Sequence, residues 1–289
     1  MLLLVASALI AYSCIKERPY PSLHESFDPT LQSALEASIK KELGPEFLKA
    51  LDEKQASVVL VDITNLYHPK VAAINGDEMM YAASLPKIAI LLGAFVQIER
   101  GKMALDDQTR TACTRMIRDS SNEDASIILN RVGMENLAEI LQSDRFRLYN
   151  PEFNGGLWVG KDYSDAPAWK KDPLHQISHG ATAMQAARFY YLLFTDRLVS
   201  PKLTEEMKVI LSKPALKHKF VKGLEDKPDV EIYRKSGTWK DWHADSGVIV
   251  HEKYEYIIVA LSHLPQGGEK LSQLAAAVDD LMNRRHTAS

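Results

Sequence analysis

Ser84-Leu85-Pro86-Lys87 places a hydroxyl and an amine three residues apart. On a helix that spacing puts both side chains on one face. A buried lysine there loses affinity for its proton and can accept one from the serine, which becomes a nucleophile. Spacing alone is weak, because Ser38-Ile39-Lys40-Lys41 repeats it. The surroundings separate the two. Ser38 belongs to a polar stretch expected to form an exposed helix, with Lys41 solvated and protonated. Ser84 opens the most apolar stretch of the chain, Ile88 to Val96. Its backbone N–H would lie at that helix's positive end, where it can bind an oxyanion. The nucleophile's role goes to Ser84.

Two more groups follow in chain order. Ser120-Ser121-Asn122 stands in a helical block, and Lys235-Ser236-Gly237-Thr238 ends a strand with alternating Val230 and Ile232. With Ser84 and Lys87 they resemble the S-x-x-K, S-D-N and K-[ST]-G triplet of class A β-lactamases and penicillin-binding proteins. Met116-Ile117 and Ala181-Thr182-Ala183-Met184 extend the likeness, which covers roughly Leu31 to the C-terminus. The chain is thus similar to a class A β-lactamase-like serine hydrolase. The resemblance implies that Ser84 attacks a carbonyl, that Lys87 shuttles its proton and that Ser120 relays one to the leaving nitrogen. Asn122 would hydrogen-bond the substrate's amide and Lys87. Lys235 would supply positive charge for a substrate carboxylate and Ser236 a hydrogen bond to it. Gly237 completes that substrate-binding run, and the N–H groups of Ser84 and Thr238 would form the oxyanion hole.

The departures carry information too. Ser121 replaces the usual middle Asp, which removes a structural carboxylate. Ser120 follows Ser84 by only 36 positions, far fewer than is typical of class A enzymes, so a more open entrance is expected. Ser246-Gly247 stands where those enzymes keep a carboxylate-binding Arg, with Lys240 and His243 as weak substitutes. The deacylating loop, E-x-x-L-N in the family, is best matched by Asn150-Pro151-Glu152-Phe153-Asn154. Asn150 can position a water but cannot take its proton, which puts a factor of about 10²–10⁴ at stake. Glu152 is the alternative base, against the plainer reading of a solvated loop acid. Three readings stay open: a β-lactamase with altered deacylation, a D-Ala-type peptidase or esterase, and a non-turnover penicillin-binding or sensor protein.

His175 and His179 are four apart, but Ile177-Ser178 supply neither the Glu of H-E-x-x-H nor a third ligand, so a surface or helix-flanking place is favoured over a metal pair. Trp239 and Trp242 flank the third motif as walls of the site or as core. Cys113 reads as a small buried hydrophobe.

Elements must position these groups. Thr30 to Leu51 reads as one helix, and Ser57 to Ile63 is a β-branched strand with Lys70 to Met80 as its hairpin partner. Asp106 to Leu198 is helical and loop-rich without a convincing strand, and Thr182 with Gln185 makes a capping box. Strands return at Val230 to Lys235, Gly247 to Val250 and Tyr254 to Leu261, before an amphipathic helix from Leu271 to Met282. The expected fold is α/β and two-lobed: an antiparallel sheet from both chain ends flanked by helices (residues 25–105 and 208–289), with an all-helical lobe between (106–207).

Composition agrees. In 289 residues, 38 acids against 35 bases give a net charge of −3 and a pI near 6.3, which offers no electrostatic footprint for nucleic acid. No metal or organic cofactor is implied, and the expected partner of a monomeric chain is a small-molecule or peptidoglycan-derived substrate. Leu2 to Ala11 is apolar but shorter than the ~20 residues of a membrane span. It fits a secretory signal (1–13), and Ser13-Cys14 resembles a bacterial lipobox. Residues 14–24 read as a tether, so export to the periplasm or envelope is expected, with membrane contact only through a lipid on Cys14.

Overall fold

The structure, a computed structural model, describes residues 20–164, 167–227 and 229–287. The expected signal, Cys14 and the first part of the tether lie outside them. The end of the tether is packed, with Leu23 buried in a turn of 3-10 helix.

Helix α1 (Pro29–Glu42) starts where Asp28 accepts a hydrogen bond from Leu31 N at 2.6 Å and Pro29 takes the first helical position. The expected single helix is broken. Gly44, at φ +76°, and Pro45, which has no N–H to donate, start a second helix, α2 (Gly44–Asp52). Ser38 is not exposed as expected: it is 8% accessible and its Oγ donates to Ala277 O, although Lys41 stays in solvent. The strand expected near Ser57 is β1 (Ala56–Asp62). Its partner splits into β2 (Lys70–Ile74) and β3 (Met80–Tyr81), because Asn75 at φ +53° turns the chain out of the sheet.

Helix α3 (Lys87–Glu99) is buried from Lys87 to Gln97, as its unbroken apolar run requires. It packs among α4 (Asp107–Arg118), α5 (Asn122–Val132) and α6 (Met134–Gln142). The stretch expected to lack strands holds four short ones: β4 (Tyr149–Asn150), β5 (Gly155–Gly156), β6 (Trp158–Val159) and β7 (His179–Ala181). At two or three residues each, they are too short to show a period-two pattern. Thr182 caps α7 (Ala183–Phe194) by accepting from Gln185 N at 3.2 Å, so half of the expected capping box forms. Then follow α8 (Pro201–Leu211), α9 (Phe220–Gly223), β8 (Glu231–Trp239), β9 (Trp242–Val250), β10 (Glu255–His263) and α10 (Gly267–Thr287).

The main sheet is antiparallel with the order β2-β1-β10-β9-β8, so strands from both chain ends meet at β1 and β10. Val58, Leu60, Tyr256 and Ile258 face α1, α2 and α10, while Val59, Val61, Ile257 and Val259 join the core shared with α3 and α7. This is the α/β arrangement that the sequence implied. Strand β8 is an edge, and it lies against the start of α3. A Cβ on Gly237 would overlap Ala82 O and stand 2.7 Å from Ser84 N, so only glycine lets the strand approach. The third motif is thereby set beside the first.

Candidate active site

Ser84 sits in the turn that leads into α3, with Lys87 N donating to Ser84 O at 3.2 Å. Ala83, at φ +51°, bends the chain sharply enough to present Ser84 at the surface of a cleft of about 460 Å³. Lys87 is inaccessible to solvent. Its Nζ donates to Ser120 O at 2.6 Å and to Asn122 Oδ1 at 2.8 Å. Burial lowers the Lys87 pKa to about 7, opposed by the carboxylate of Asp124. An amine held there is divided between acid and base forms at neutral pH, which suits proton transfer.

Ser120 also takes a left-handed backbone, φ +60°, and its hydroxyl accepts from Lys235 Nζ at 3.0 Å. A second Lys235 bond, 2.6 Å long, goes to Ser236 O. Burial and then the charge of Lys87 hold the Lys235 pKa well below the ordinary lysine range. A carboxylate arriving beside it would oppose that shift and favour the charged form. Ser121 caps α5 by accepting from Asp124 N at 3.1 Å, so it fills the N-terminal role as an Asp would. The structural carboxylate comes instead from Asp124, which is buried and doubly bonded to Arg115. Ser84, Asn122 and Thr238 all line the cleft.

Asn150 and Glu152 do not come to this cleft. Asn150 caps the 3-10 turn Pro151–Phe153 through its side chain, and Glu152, largely exposed, pairs with Arg147 at 2.6 Å. The reason is local. Asn150 pairs with Gly155 in a tight hairpin, and Asn154 bonds Asp77 O, which draws the loop toward the start of β3. The group found against Lys87 is Tyr163, with its ring centroid 4.4 Å from Nζ and its hydroxyl donating to Ala83 O. Nothing in the spacing marked Tyr163; it comes from the loop between β6 and β7.

His179 is buried in the cleft wall, 4.4 Å from the Tyr163 ring, and burial lowers its pKa to about 4, so it is neutral. His175 instead meets Asn154, and the described residues contain no group of three or more metal-ligating side chains. Trp239 and Tyr81 form another wall, with ring centroids 5.5 Å apart, while Trp242 stacks on His263 outside the cleft's lining. Lys240 lies over Trp239. Ser246 bonds Lys235 O and Tyr190, and His243 packs against Gly267 and Gly268, on the sheet face that Thr238 shares. A positive group that sequence reasoning missed lies there: Lys219, buried, donates to Gly237 O, Thr238 Oγ1 and Ala244 O. It pins the third motif from behind. Cys113 is buried, which pushes its thiol pKa up to about 12, and so it is inert.

Together, the fold and this grouping define a serine hydrolase of the β-lactamase-like class. The family model described as the beta-lactamase enzyme family matches residues 39–112 and 108–283, and the chain belongs to that family. No curated protein matches it in sequence. Among solved structures, the β-lactamase from Sphaerobacter thermophilus superposes with a TM-score of 0.68 at 14% identity, over 89% of this chain and 98% of that one. PBP-A gives 0.67 at 15% identity, over 92% and 100%. A β-lactamase from Chitinophaga pinensis gives 0.63 at 14%, over 82% and 97%. At these identities the likeness is one of fold.

Proposed function

We propose that the protein is an acyl hydrolase that works through a Ser84 acyl-enzyme on small amides or esters bearing a carboxylate, β-lactams and D-amino-acid-terminated fragments among them. The observation that carries this reading is Lys87: buried, held by Ser120 O and Asn122 Oδ1, and depressed to about 7 one turn from Ser84. Lys87 takes the Ser84 proton as Oγ attacks. The N–H groups of Ser84 and Thr238 receive the oxyanion, and Ser120, in contact with Lys235, passes a proton to the leaving nitrogen.

The Tyr163 ring on Lys87 favours slow release of a β-lactam. A ring can hold the lysine by a cation–π contact, but it cannot accept a proton from the hydrolytic water. A variant of PBP-A has been solved as an acyl-enzyme complex with penicillin G, so the fold tolerates such a state. The expected result by intact-mass spectrometry is an adduct of the whole penicillin that persists, while simple esters turn over. Rapid lactam hydrolysis would support the β-lactamase reading, and no adduct with no ester turnover would reject acyl transfer.

The exported, lipidated form is proposed on Leu2 to Ala11 and Ser13-Cys14. The mature chain is then expected to begin at Cys14. N-terminal sequencing that returns Met1 or a start well beyond Cys14 would reject it.

A further inference from the structure

Positive charge gathers in a second cleft, of about 200 Å³, beside α7. Tyr20, Leu23 and Tyr191 wall it together with Arg145, Arg188 and Arg197, and no acidic side chain is among its described lining residues. Arg145 is neutralised by Glu99 at 2.8 Å, and Arg147, whose carbonyl accepts from Arg188, by Glu152. Arg188 and Arg197 have no carboxylate in ion-pair contact among the described residues, and neutral groups hold them. Arg188 donates to Arg147 O at 2.6 Å, Gln185 Oε1 at 2.5 Å and Phe146 O at 3.2 Å. These bonds fix the guanidinium without cancelling its charge. Arg197 stands 5.4 Å from the ring centroids of both Tyr20 and Tyr191, and its Nε donates to Thr195 Oγ1. Burial, then the charges of Arg197 and Arg147, lower the Arg188 pKa to about 10, opposed by the more distant carboxylate of Asp77, which pairs with His24. Gathering these cations is costly, and an anion would offset that cost.

We infer that this cleft binds a phosphate group between Arg188 and Arg197, as the free ion or as the headgroup of an anionic lipid. Two guanidiniums, one fixed on α7 and one in the loop that follows it, suit a ligand with several acceptor oxygens spread in three dimensions, as a phosphate has. The small volume excludes a large ligand. The lipid source gains from the position of Tyr20, six residues after Cys14. Six residues can span at most about 20 Å, so a lipid on Cys14 would hold the cleft near a membrane surface.

The test uses the full chain as Cys14→Ser, so that no lipid on the protein itself carries it to a vesicle. Its thermal midpoint is followed against inorganic phosphate at an ionic strength held constant with chloride. Cosedimentation is measured with phosphatidylglycerol and with phosphatidylcholine vesicles. A saturable rise in midpoint is expected. Arg197→Gln should weaken it about tenfold or more, because a charge-assisted bond is lost, while Arg284→Gln with Arg285→Gln on α10 leaves it intact. Arg197 is the first choice because Arg188 also braces the loop before β4. Retention on phosphatidylglycerol alone, lost in Arg197→Gln, identifies the lipid source; a phosphate response without retention identifies the free ion. No saturable response and no retention would overturn the inference, as would an Arg197→Gln protein that responds like its parent.

Discussion

Ser84→Ala is expected to carry no penicillin-derived mass under conditions in which the parent protein is fully labelled. The hydroxyl is the atom that would become the ester, so its removal leaves nothing to acylate, whatever the rest of the cleft still binds. Ser38→Ala is the informative comparison. It has the same local spacing to a lysine, Lys41, but that lysine is solvated and its serine faces Ala277 O between α1 and α10. Losing the Ser38 bond should cost about 1 kcal/mol of stability and no labelling. Labelling that survives Ser84→Ala would remove the whole assignment. Loss in both variants, with both folded by circular dichroism, would show that labelling does not report on the cleft.

The second large effect belongs to Lys87. Lys87→Met should slow acylation by about 10²–10⁴, the usual worth of a positioned general base. The side chain keeps its bulk among the apolar residues of α3, but Ser120 O and Asn122 Oδ1 lose their donor, so a lower thermal midpoint is expected as well. The pH profile separates the two consequences. In the parent, burial has lowered the Lys87 pKa to about 7. Below that pH the amine holds its proton and cannot take another from Ser84; above it the amine is free. The acylation rate constant should therefore rise with pH and be half-maximal near 7, and the limb should be missing in Lys87→Met. A profile that is flat from pH 5 to 9 in the parent would show that another group takes the proton.

Much of this site was legible because its chemistry is local. A helical spacing of three, a Ser-Ser-Asn before a helix and a Lys-Ser-Gly-Thr on a strand each need only a few consecutive residues. The run Ile88 to Val96 announced a helix buried on all sides, and it is. The Gly44-Pro45 break is equally local, a proline signal set among strong helix formers on both sides. The deacylation loop misled for a related reason. The Pro and Asn of Asn150-Pro151-Glu152-Phe153-Asn154 match a spacing, but Gly155-Gly156 pair back on Tyr149-Asn150 and turn the segment away.

What the chain alone determined was which residue types could act and which short elements would carry them, since propensity, periodicity and motif spacing act over a turn or two. Tertiary packing decided what surrounds them. Tyr163 reaches Lys87 across 76 positions, Lys219 comes to the Thr238 hydroxyl from a segment 19 positions earlier, and Ser38 is covered by a helix 239 residues away. A lysine becomes a base at neutral pH only when several distant segments together remove its water, and desolvation of that kind is a property of the assembled core, not of any stretch of sequence.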